Sequence, residues 1–228
     1  MAFAGGYESR AAERPVGLSH VMGILSFMFL AMAAGAFLVP PSMSWPAFFV
    51  EIALLFILPG MARRDRAQGR TASSGTAGAL ALVFAAAAGG FLAPVVQGLD
   101  QTGAGGSLLA EAAVISFTVF ALFGLYGLTT RRNLGTLSRF LMIALLVLLG
   151  ILVLSFFFSR FFSPFGLLIG IGGAALFAIM TALDFQRAKY AGADDAVMVA
   201  VSIFLDFVNL FVFILDILMI FGGGRGRR

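Results

Sequence analysis

Residues 165–190 read FGLLIGIGGAALFAIMTALDFQRAKY, and residues 194–224 read DDAVMVAVSIFLDFVNLFVFILDILMIFGGG. Both runs are long and apolar enough to cross a bilayer, which takes about 20 residues of helix. Each run nevertheless carries acidic side chains, Asp184 in the first and Asp206 and Asp216 in the second. An acidic group near the middle of a spanning helix costs about 2.5 to 3.5 kcal/mol on insertion scales. These aspartates are therefore candidates for a functional site.

The composition of the whole chain also indicates a membrane protein. Of its 228 residues, 61% are hydrophobic and only 11% are charged, which indicates an all-α polytopic membrane protein. The basic residues are spread over short loops instead of forming one patch, so nucleic acid is not an expected partner. There is no cysteine, which excludes disulfides, thiol catalysis and cysteine metal sites.

Length and hydropathy predict seven spanning helices in a single domain at residues 17–221. A polar N-terminal tail at 1–16 precedes this domain, and a basic C-terminal tail at 222–228 follows it. The predicted spans are 17–39, 45–61, 76–98, 107–128, 138–159, 165–190 and 196–221. Pro59 and Pro94, near the ends of the second and third spans, predict kinks or early helix ends there.

The distribution of lysine and arginine predicts a cytoplasmic N-terminus. With that orientation, eleven basic residues lie in inner segments and four in outer ones, as the positive-inside rule requires. The discordant part is the tail GGGRGRR, which seven spans would place outside. If the last segment enters the membrane and returns, the tail lies inside, so loop charges leave the side of the C-terminus open.

The polar residues of the seventh span form one stripe. Its members, at steps of four, three and seven residues, occupy less than a quarter-turn of a helix and are Ser202, Asp206, Asn209 and Asp216. A stripe with two carboxyl groups is expected to face the bundle interior or a water-filled path. The alternative is a purely structural role, in which a protonated aspartate hydrogen-bonds between helices.

The sixth and seventh spans predict a pair of neighbouring aspartates. Because the connection between the spans is short, they are expected to be antiparallel neighbours, with Asp184 and Asp206 at similar depth. Two carboxyl groups in a poorly hydrated site cannot both ionise cheaply, so a proton is expected to belong to the pair. Losing it would make the pair repel, which predicts a two-state gate that responds to pH. We expect a cavity that reaches the pair from one side and is blocked by the seventh helix on the other.

Two further acids, Glu51 and Glu111, lie in the second and fourth spans. Several carboxylates without cysteine suit a hard cation such as Ca²⁺, which we expect to bind transiently at Asp184 and Asp206. Glu111 lies close to the outer interface, so simple hydration is an equal alternative for it. Arg63 and Arg64 are topology anchors at the inner end of the second span, or alternatively a latch on a gate carboxylate.

Several segments together resemble the Bax inhibitor-1 (transmembrane Bax inhibitor motif) family, as found in bacteria. The most specific feature is LDFVNLF in the seventh span following ALDFQRAK in the sixth. The similar segments are EAAVISFTVFALFGLYGLTTRRNL at 111–134, FGLLIGIGGAALFAIMTALDFQRAKY, VSIFLDFVNLFVFIL and GGFLAP in the third span. The resemblance covers all seven spans and is weak only in the N-terminal tail and first span.

This resemblance implies a bundle in which a central last helix is wrapped by the other six, in a bacterial inner membrane. It also implies a pH-sensitive Ca²⁺ leak, with Asp184 and Asp206 matching the family's pH-sensing pair. Glu51 and Glu111 would match acids of its pore, and Arg63 or Arg64 its latch, with a one-residue offset. Asp216 departs from the family, because similar members often carry a basic residue there.

Three interpretations of the function follow. The first is a pH-sensitive Ca²⁺ leak channel gated by the aspartate pair, and an H⁺/Ca²⁺ exchanger would need the same acids. The second, suggested by the family, is a regulator that binds a membrane-anchored protease or a cell-death partner without transporting ions. The third, an enzyme, is not favoured, because the sequence lacks a serine–histidine pair on facing spans. The expected partners are thus the lipid bilayer, Ca²⁺ and H⁺, with no cofactor, and a membrane protease in the second case.

Overall fold

The computed structural model describes residues 18–67, 75–100, 105–192 and 195–223, and within these ranges the regular structure is entirely helical. Short 3₁₀ turns at Pro41–Met43, Leu134–Leu137 and Ser163–Phe165 connect some of the helices. The α-helices are α1 Leu18–Leu38, α2 Ser44–Ala67, α3 Gly75–Asp100, α4 Gly105–Thr129, α5 Ser138–Phe157, α6 Ser159–Phe162, α7 Gly166–Ala188 and α8 Ala196–Gly223.

The prediction of seven spanning helices is confirmed. Seven helical segments in the described ranges are long and apolar enough to cross a membrane, and α6 is a single turn that leads into the sixth of them, α7. The chain is therefore an integral multi-pass membrane protein. The predicted tail at 1–16 and residues 224–228 of the predicted tail at 222–228 lie outside the described residues.

The early helix ends suggested by Pro59 and Pro94 do not occur. Both prolines lie inside helices, since α2 continues to Ala67 and α3 continues to Asp100. Proline removes one backbone hydrogen bond but fixes a helix-compatible φ angle, and neighbouring helices in a membrane stabilise such a helix on both sides of it. The second and third helices are thus longer than the spans predicted for them.

Glycine determines how closely α1 approaches α3. A Cβ atom added to Gly35 would collide with the backbone carbonyl of Ala86, and one added to Gly89 would collide with that of Met32. Such backbone contact lets dispersion forces hold helices together where lipid supplies no hydrophobic drive. The side chain of Gln97 then donates hydrogen bonds to the carbonyl oxygens of Ala36 and Val39, which satisfies the end of α1.

The last helix, α8, is the most enclosed of the seven. In the most apolar 18-residue stretch of α8, 61% of the residues are buried, whereas only 11% are buried in the corresponding stretch of the span that contains α5. Helix α8 packs most extensively against α7, then α4 and α1, whereas α5 packs among the spanning helices mainly against α7. The bundle therefore has a central last helix, and α5 lies at its periphery with leucine and phenylalanine side chains facing outward, as suits a lipid-facing surface.

Candidate functional site

Asp184 and Asp206, the aspartate pair, are the buried charged residues of the part of the chain that the structure describes. Asp184 lies one turn before the end of α7 and is 4% exposed, and Asp206 lies on α8 and is 2% exposed. They come together because α7 and α8 form one of the most extensive helix contacts of the bundle. The predicted stripe on the seventh span therefore brings Asp206 into the core.

Asp184 forms an ion pair with Arg187, one turn further along the same helix. The Nη1 atom of Arg187 donates a hydrogen bond of 2.8 Å to Oδ1 of Asp184, and the arginine side chain is 53% exposed. The carboxylate of Asp184 therefore has a charged partner within the protein, and the side chain of that partner, Arg187, is partly exposed to solvent. Charge-assisted hydrogen bonds of this kind are about twice as strong as neutral ones.

Asp206 has no comparable partner. Its Oδ2 atom is buried and accepts no hydrogen bond within the described structure. The charged side chains that act electrostatically on this carboxyl group are Asp184 and Arg187, one of each sign. A buried carboxylate without a hydrogen bond is costly, so the carboxyl group of Asp206 requires a proton or a cation.

The arrangement differs in one respect from direct sharing of a proton between two carboxyl groups. Arg187 already balances one negative charge, so the site holds two carboxyl groups and one guanidinium group. With one proton the three groups sum to zero charge, and without it they sum to minus one. Protonation of a single carboxyl group therefore decides whether the site is neutral.

Phenylalanine rings of the residues that follow the two aspartates in sequence belong to an apolar cluster inside the bundle. Phe120 of α4 packs edge-to-face against Phe185 and Phe207, the neighbours in sequence of the two aspartates, with centroid distances of 5.2 Å for both contacts. Phe29 of α1 contacts Phe207 at 4.7 Å and Phe204 at 5.7 Å. Because both aspartates are buried in this part of the bundle, an uncompensated charge on either of them is poorly screened.

A cleft lies at the arginine-rich end of the bundle, where α4 and α7 end and α8 begins. We call it the basic-end cleft; its volume is about 930 Å³, and it is lined by Leu183, Arg187 and Val199 but by neither Asp184 nor Asp206. Its other lining residues are Thr129, Thr130, Arg131, Arg132, Asn133, Gly135, Gln186, Lys189, Tyr190, Ala191 and Asp195. Arg187 thus lies between the cleft and Asp184.

A second cleft lies at the opposite end of the bundle, between α5, α7 and α8. We call it the outer cleft, with reference to its place away from the arginine-rich end and not to a side of the membrane; its volume is about 580 Å³, and Asp216 lines it together with Ser155, Ser159 and Ser163. Between Asp206 and Asp216, the α8 side chains of Leu210 and Phe213 are buried. The described structure thus has a cleft at each end of the bundle with an apolar layer between them. Neither cleft is lined by Asp184 or Asp206, whereas the sequence suggested one cavity that reaches the pair.

The remaining candidate residues lie away from the aspartate pair. Glu51 is half-buried near the start of α2 and Glu111 is exposed near the start of α4, both in the half of the bundle that also holds Asp216. Arg63 and Arg64 are exposed near the end of α2, and the arginine that contacts Asp184 is Arg187.

The polar neighbours of Asp206 on α8 are half-buried. The side-chain amide of Asn209 donates a hydrogen bond of 2.8 Å to the carbonyl oxygen of Leu205, within the helix. Ser202 is half-buried one turn before Asp206, on the same stripe. Both residues thus border the buried carboxyl group without covering it.

Two residues beside the aspartate pair, Arg187 and Gln186, escaped the sequence analysis, which treated Arg187 only as a charge that sets topology. The signal for Arg187 is the spacing Asp184–Arg187, since residues three apart on a helix can form an ion pair. Gln186 accepts a hydrogen bond from the backbone N–H of Leu134 and donates one to the carbonyl oxygen of Arg132, both of 2.8 Å. It therefore fixes the segment after α4 against the end of α7.

The described residues hold no cluster of three or more acidic, histidine or cysteine side chains that could ligate a metal ion. Ca²⁺ prefers about six to eight oxygen ligands, whereas the aspartate pair offers two carboxyl groups, one of which is occupied by Arg187. This donor set does not fit a resident Ca²⁺ ion.

Comparison with known proteins identifies the family. Residues 14–223 match the family model described as Inhibitor of apoptosis-promoting Bax1. An uncharacterized protein of Campylobacter jejuni is 29% identical over 177 residues, 78% of this chain and 72% of the relative. One of Helicobacter pylori is 32% identical over 60% of this chain and 59% of the relative, and one of Neisseria meningitidis is 23% identical over 95% and 96%. The chain belongs to the Bax inhibitor-1 family.

Proposed function

We propose that this protein is a pH-sensitive Ca²⁺ leak channel whose gate is the aspartate pair. The observation that carries the proposal is the buried Oδ2 atom of Asp206, which accepts no hydrogen bond beside an existing Asp184–Arg187 ion pair. A carboxyl group in that position is stable when protonated and unstable when ionised. The gate is thus one proton on Asp206.

Loss of this proton changes the forces between α7 and α8. The site then carries one net negative charge among phenylalanine rings, and Asp206 repels Asp184 while it attracts Arg187. Relief comes from separation of the two helices and from entry of a cation, and both open a path through the bundle. Higher pH therefore favours the conducting state.

The two clefts define the ends of that path. A cation entering from the basic-end cleft meets Arg187 first, and one entering from the opposite side meets Asp216 in the outer cleft. In the closed structure Leu210 and Phe213 fill the layer between them. Glu51, Glu111 and Asp216 attract cations towards the outer half, and Arg187 acts as the latch of the inner half. We further propose that the basic end faces the cytoplasm of a bacterial cell.

The test is Ca²⁺ flux into liposomes that carry purified protein and an enclosed Ca²⁺ dye, measured at a series of pH values. Flux through the wild-type protein is expected to rise with pH. Asp206→Asn and Asp184→Asn should flatten this response, and Asp216→Asn, the matched control on the same helix, should keep it. An unchanged response in Asp206→Asn would exclude the gate.

Clefts on both sides of a protonatable pair also favour an H⁺/Ca²⁺ exchanger as a second candidate. In such a protein the carboxyl groups face one cleft at a time and exchange a proton for a cation. Liposomes with a pH gradient and equal Ca²⁺ on both sides separate the two functions. An exchanger accumulates Ca²⁺ under these conditions, whereas a leak driven only by the Ca²⁺ gradient does not.

A further inference from the structure

The lining of the basic-end cleft carries an excess of positive charge. Arg131, Arg132, Arg187 and Lys189 face a single acidic residue of the lining, Asp195. Two of the four basic side chains come from the segment after α4 and two from the end of α7, so the charge is concentrated by the fold and not by one run of sequence. A volume of about 930 Å³ falls within the range of roughly 300 to 1,000 Å³ that is typical of ligand cavities.

The backbone around the cleft is held in place before any ligand arrives. Gln186 bonds to both Leu134 and Arg132, and the Nζ atom of Lys189 donates a hydrogen bond of 3.3 Å to the carbonyl oxygen of Leu128 at the end of α4. These contacts join the two segments that carry the basic side chains. A preorganised cluster loses less conformational entropy on binding an anion than a flexible one does.

The position of the cleft relative to the bilayer indicates which anion can reach it. The cleft lies at the ends of spanning helices, where the headgroups of a bilayer are found, and it opens beside Tyr190, which is 73% exposed. The Nζ atom of Lys189 lies 5.6 Å from the centroid of the Tyr190 ring, so an aromatic and a basic side chain share this rim. Tyrosine and lysine at such a level are typical anchors of the membrane interface.

We infer that the basic-end cleft binds the phosphate group of an anionic phospholipid, with Arg131 and Arg132 as its principal contacts. Arginine suits this role because its planar guanidinium group matches phosphate oxygens in a bidentate geometry. Anionic headgroups are attracted to basic clusters next to spanning helices, which supplies the ligand at high local concentration. The inference concerns binding and does not depend on the proposed channel function.

A phosphate group in this cleft has a consequence for the gate, and this consequence rests on the proposed function. Arg187 lines the cleft and also holds Asp184, so a bound phosphate competes with Asp184 for the same guanidinium group. Weakening of the ion pair leaves more negative charge in the dry site. Bound anionic lipid is thus expected to favour opening of the channel.

Binding is tested by native mass spectrometry of the purified full-length protein in detergent, with phosphatidylglycerol and phosphatidylcholine added in turn. We expect retained phosphatidylglycerol and little phosphatidylcholine. The double variant Arg131→Gln/Arg132→Gln should weaken phosphatidylglycerol binding by roughly 25-fold, about fivefold for each basic side chain near an anionic headgroup. The matched control Arg63→Gln/Arg139→Gln removes two exposed charges at the same end outside the cleft and should retain the lipid.

Three results would overturn the inference. Equal retention of the two lipids would show that charge is not recognised, and equal loss in both double variants would assign binding to net charge alone. Inorganic phosphate that binds without lipid, with the same dependence on Arg131 and Arg132, would assign the cleft to a free anion. Flux measured in phosphatidylglycerol vesicles tests the link to the gate separately, because the pH response of the Arg131→Gln/Arg132→Gln variant should then differ from that of the wild type.

Discussion

Asp206 and Asp216 occupy one stripe of one helix and yet lie in opposite environments. They are ten residues apart on α8, which corresponds to about 15 Å along the helix axis. Asp206 is buried near Asp184 and Arg187 of α7, whereas Asp216 is exposed in the outer cleft. Helical periodicity determines the face of a residue, and the neighbouring helices at its depth determine whether its charge is compensated. The difference between the two aspartates can be tested residue by residue.

The largest effect on the free energy of unfolding is expected from the charge on Asp206. Ionisation of this buried carboxyl group leaves one uncompensated negative charge, which in a protein interior costs about 3 to 5 kcal/mol. The free energy of unfolding in detergent should therefore be highest at low pH and fall as the pH rises in the wild-type protein. Asp206→Asn should lose the part of this fall that Asp206 contributes, which is checked by thermal unfolding at several pH values. A wild-type curve that is stable throughout, or a variant with the same slope, would contradict the charge balance.

Arg187→Gln should have the next largest effect, because it leaves Asp184 buried without its charged partner. A hydrogen bond to a charged group contributes about 1.5 to 3 kcal/mol, and the half-exposed arginine places this case towards the lower value. Thermal unfolding at neutral pH should show this loss of stability as a lower unfolding temperature of Arg187→Gln. The second substitution Asp184→Asn removes the buried charge and should restore most of the stability, and a double variant no better than Arg187→Gln would contradict the pairing.

A substitution in the apolar layer between Asp206 and Asp216 should have a smaller effect on the free energy of unfolding. A Cβ atom added to Gly173 of α7 would lie 2.6 Å from the ring of Phe213, whereas one added to the adjacent Gly172 would meet nothing within 4 Å. Gly173→Ala is therefore expected to destabilise the bundle by about 1 kcal/mol through overpacking. Gly172→Ala is the control and should be neutral or stabilising by about 0.5 kcal/mol, since alanine favours the helix. Equal unfolding temperatures for the two variants would show that α7 and α8 do not touch at this level.

The smallest effect is expected for Asp216→Asn. This carboxyl group borders the outer cleft and keeps contact with solvent, so substitution should change the free energy of unfolding by less than about 0.5 kcal/mol. Most of the slope of stability against pH should remain, because the buried carboxyl group of Asp206 is still present. A flattened slope in this variant would remove the contrast with Asp206.

Hydropathy alone predicts the seven helices, because every span must satisfy its backbone within a long apolar run. The stripe on α8 and the short connection from α7 likewise anticipate that Asp206 is buried beside Asp184. The spacing of Asp184 and Arg187 permits an ion pair, but it was overlooked, and the sequence does not show that this pair is buried next to Asp206. The full length of α3 was also missed, because packing of α1 against α3 overrides the helix-ending tendency of Pro94.

The most direct test of the account is to observe the proton itself by infrared difference spectroscopy of the reconstituted protein across a pH titration. All protonated carboxyl groups contribute to the carbonyl band, and the account predicts that it contains a component that disappears as the pH rises, is missing in Asp206→Asn and is retained in Asp216→Asn. A difference spectrum of Asp206→Asn that equals that of the wild type would contradict the assignment of the gating proton to Asp206.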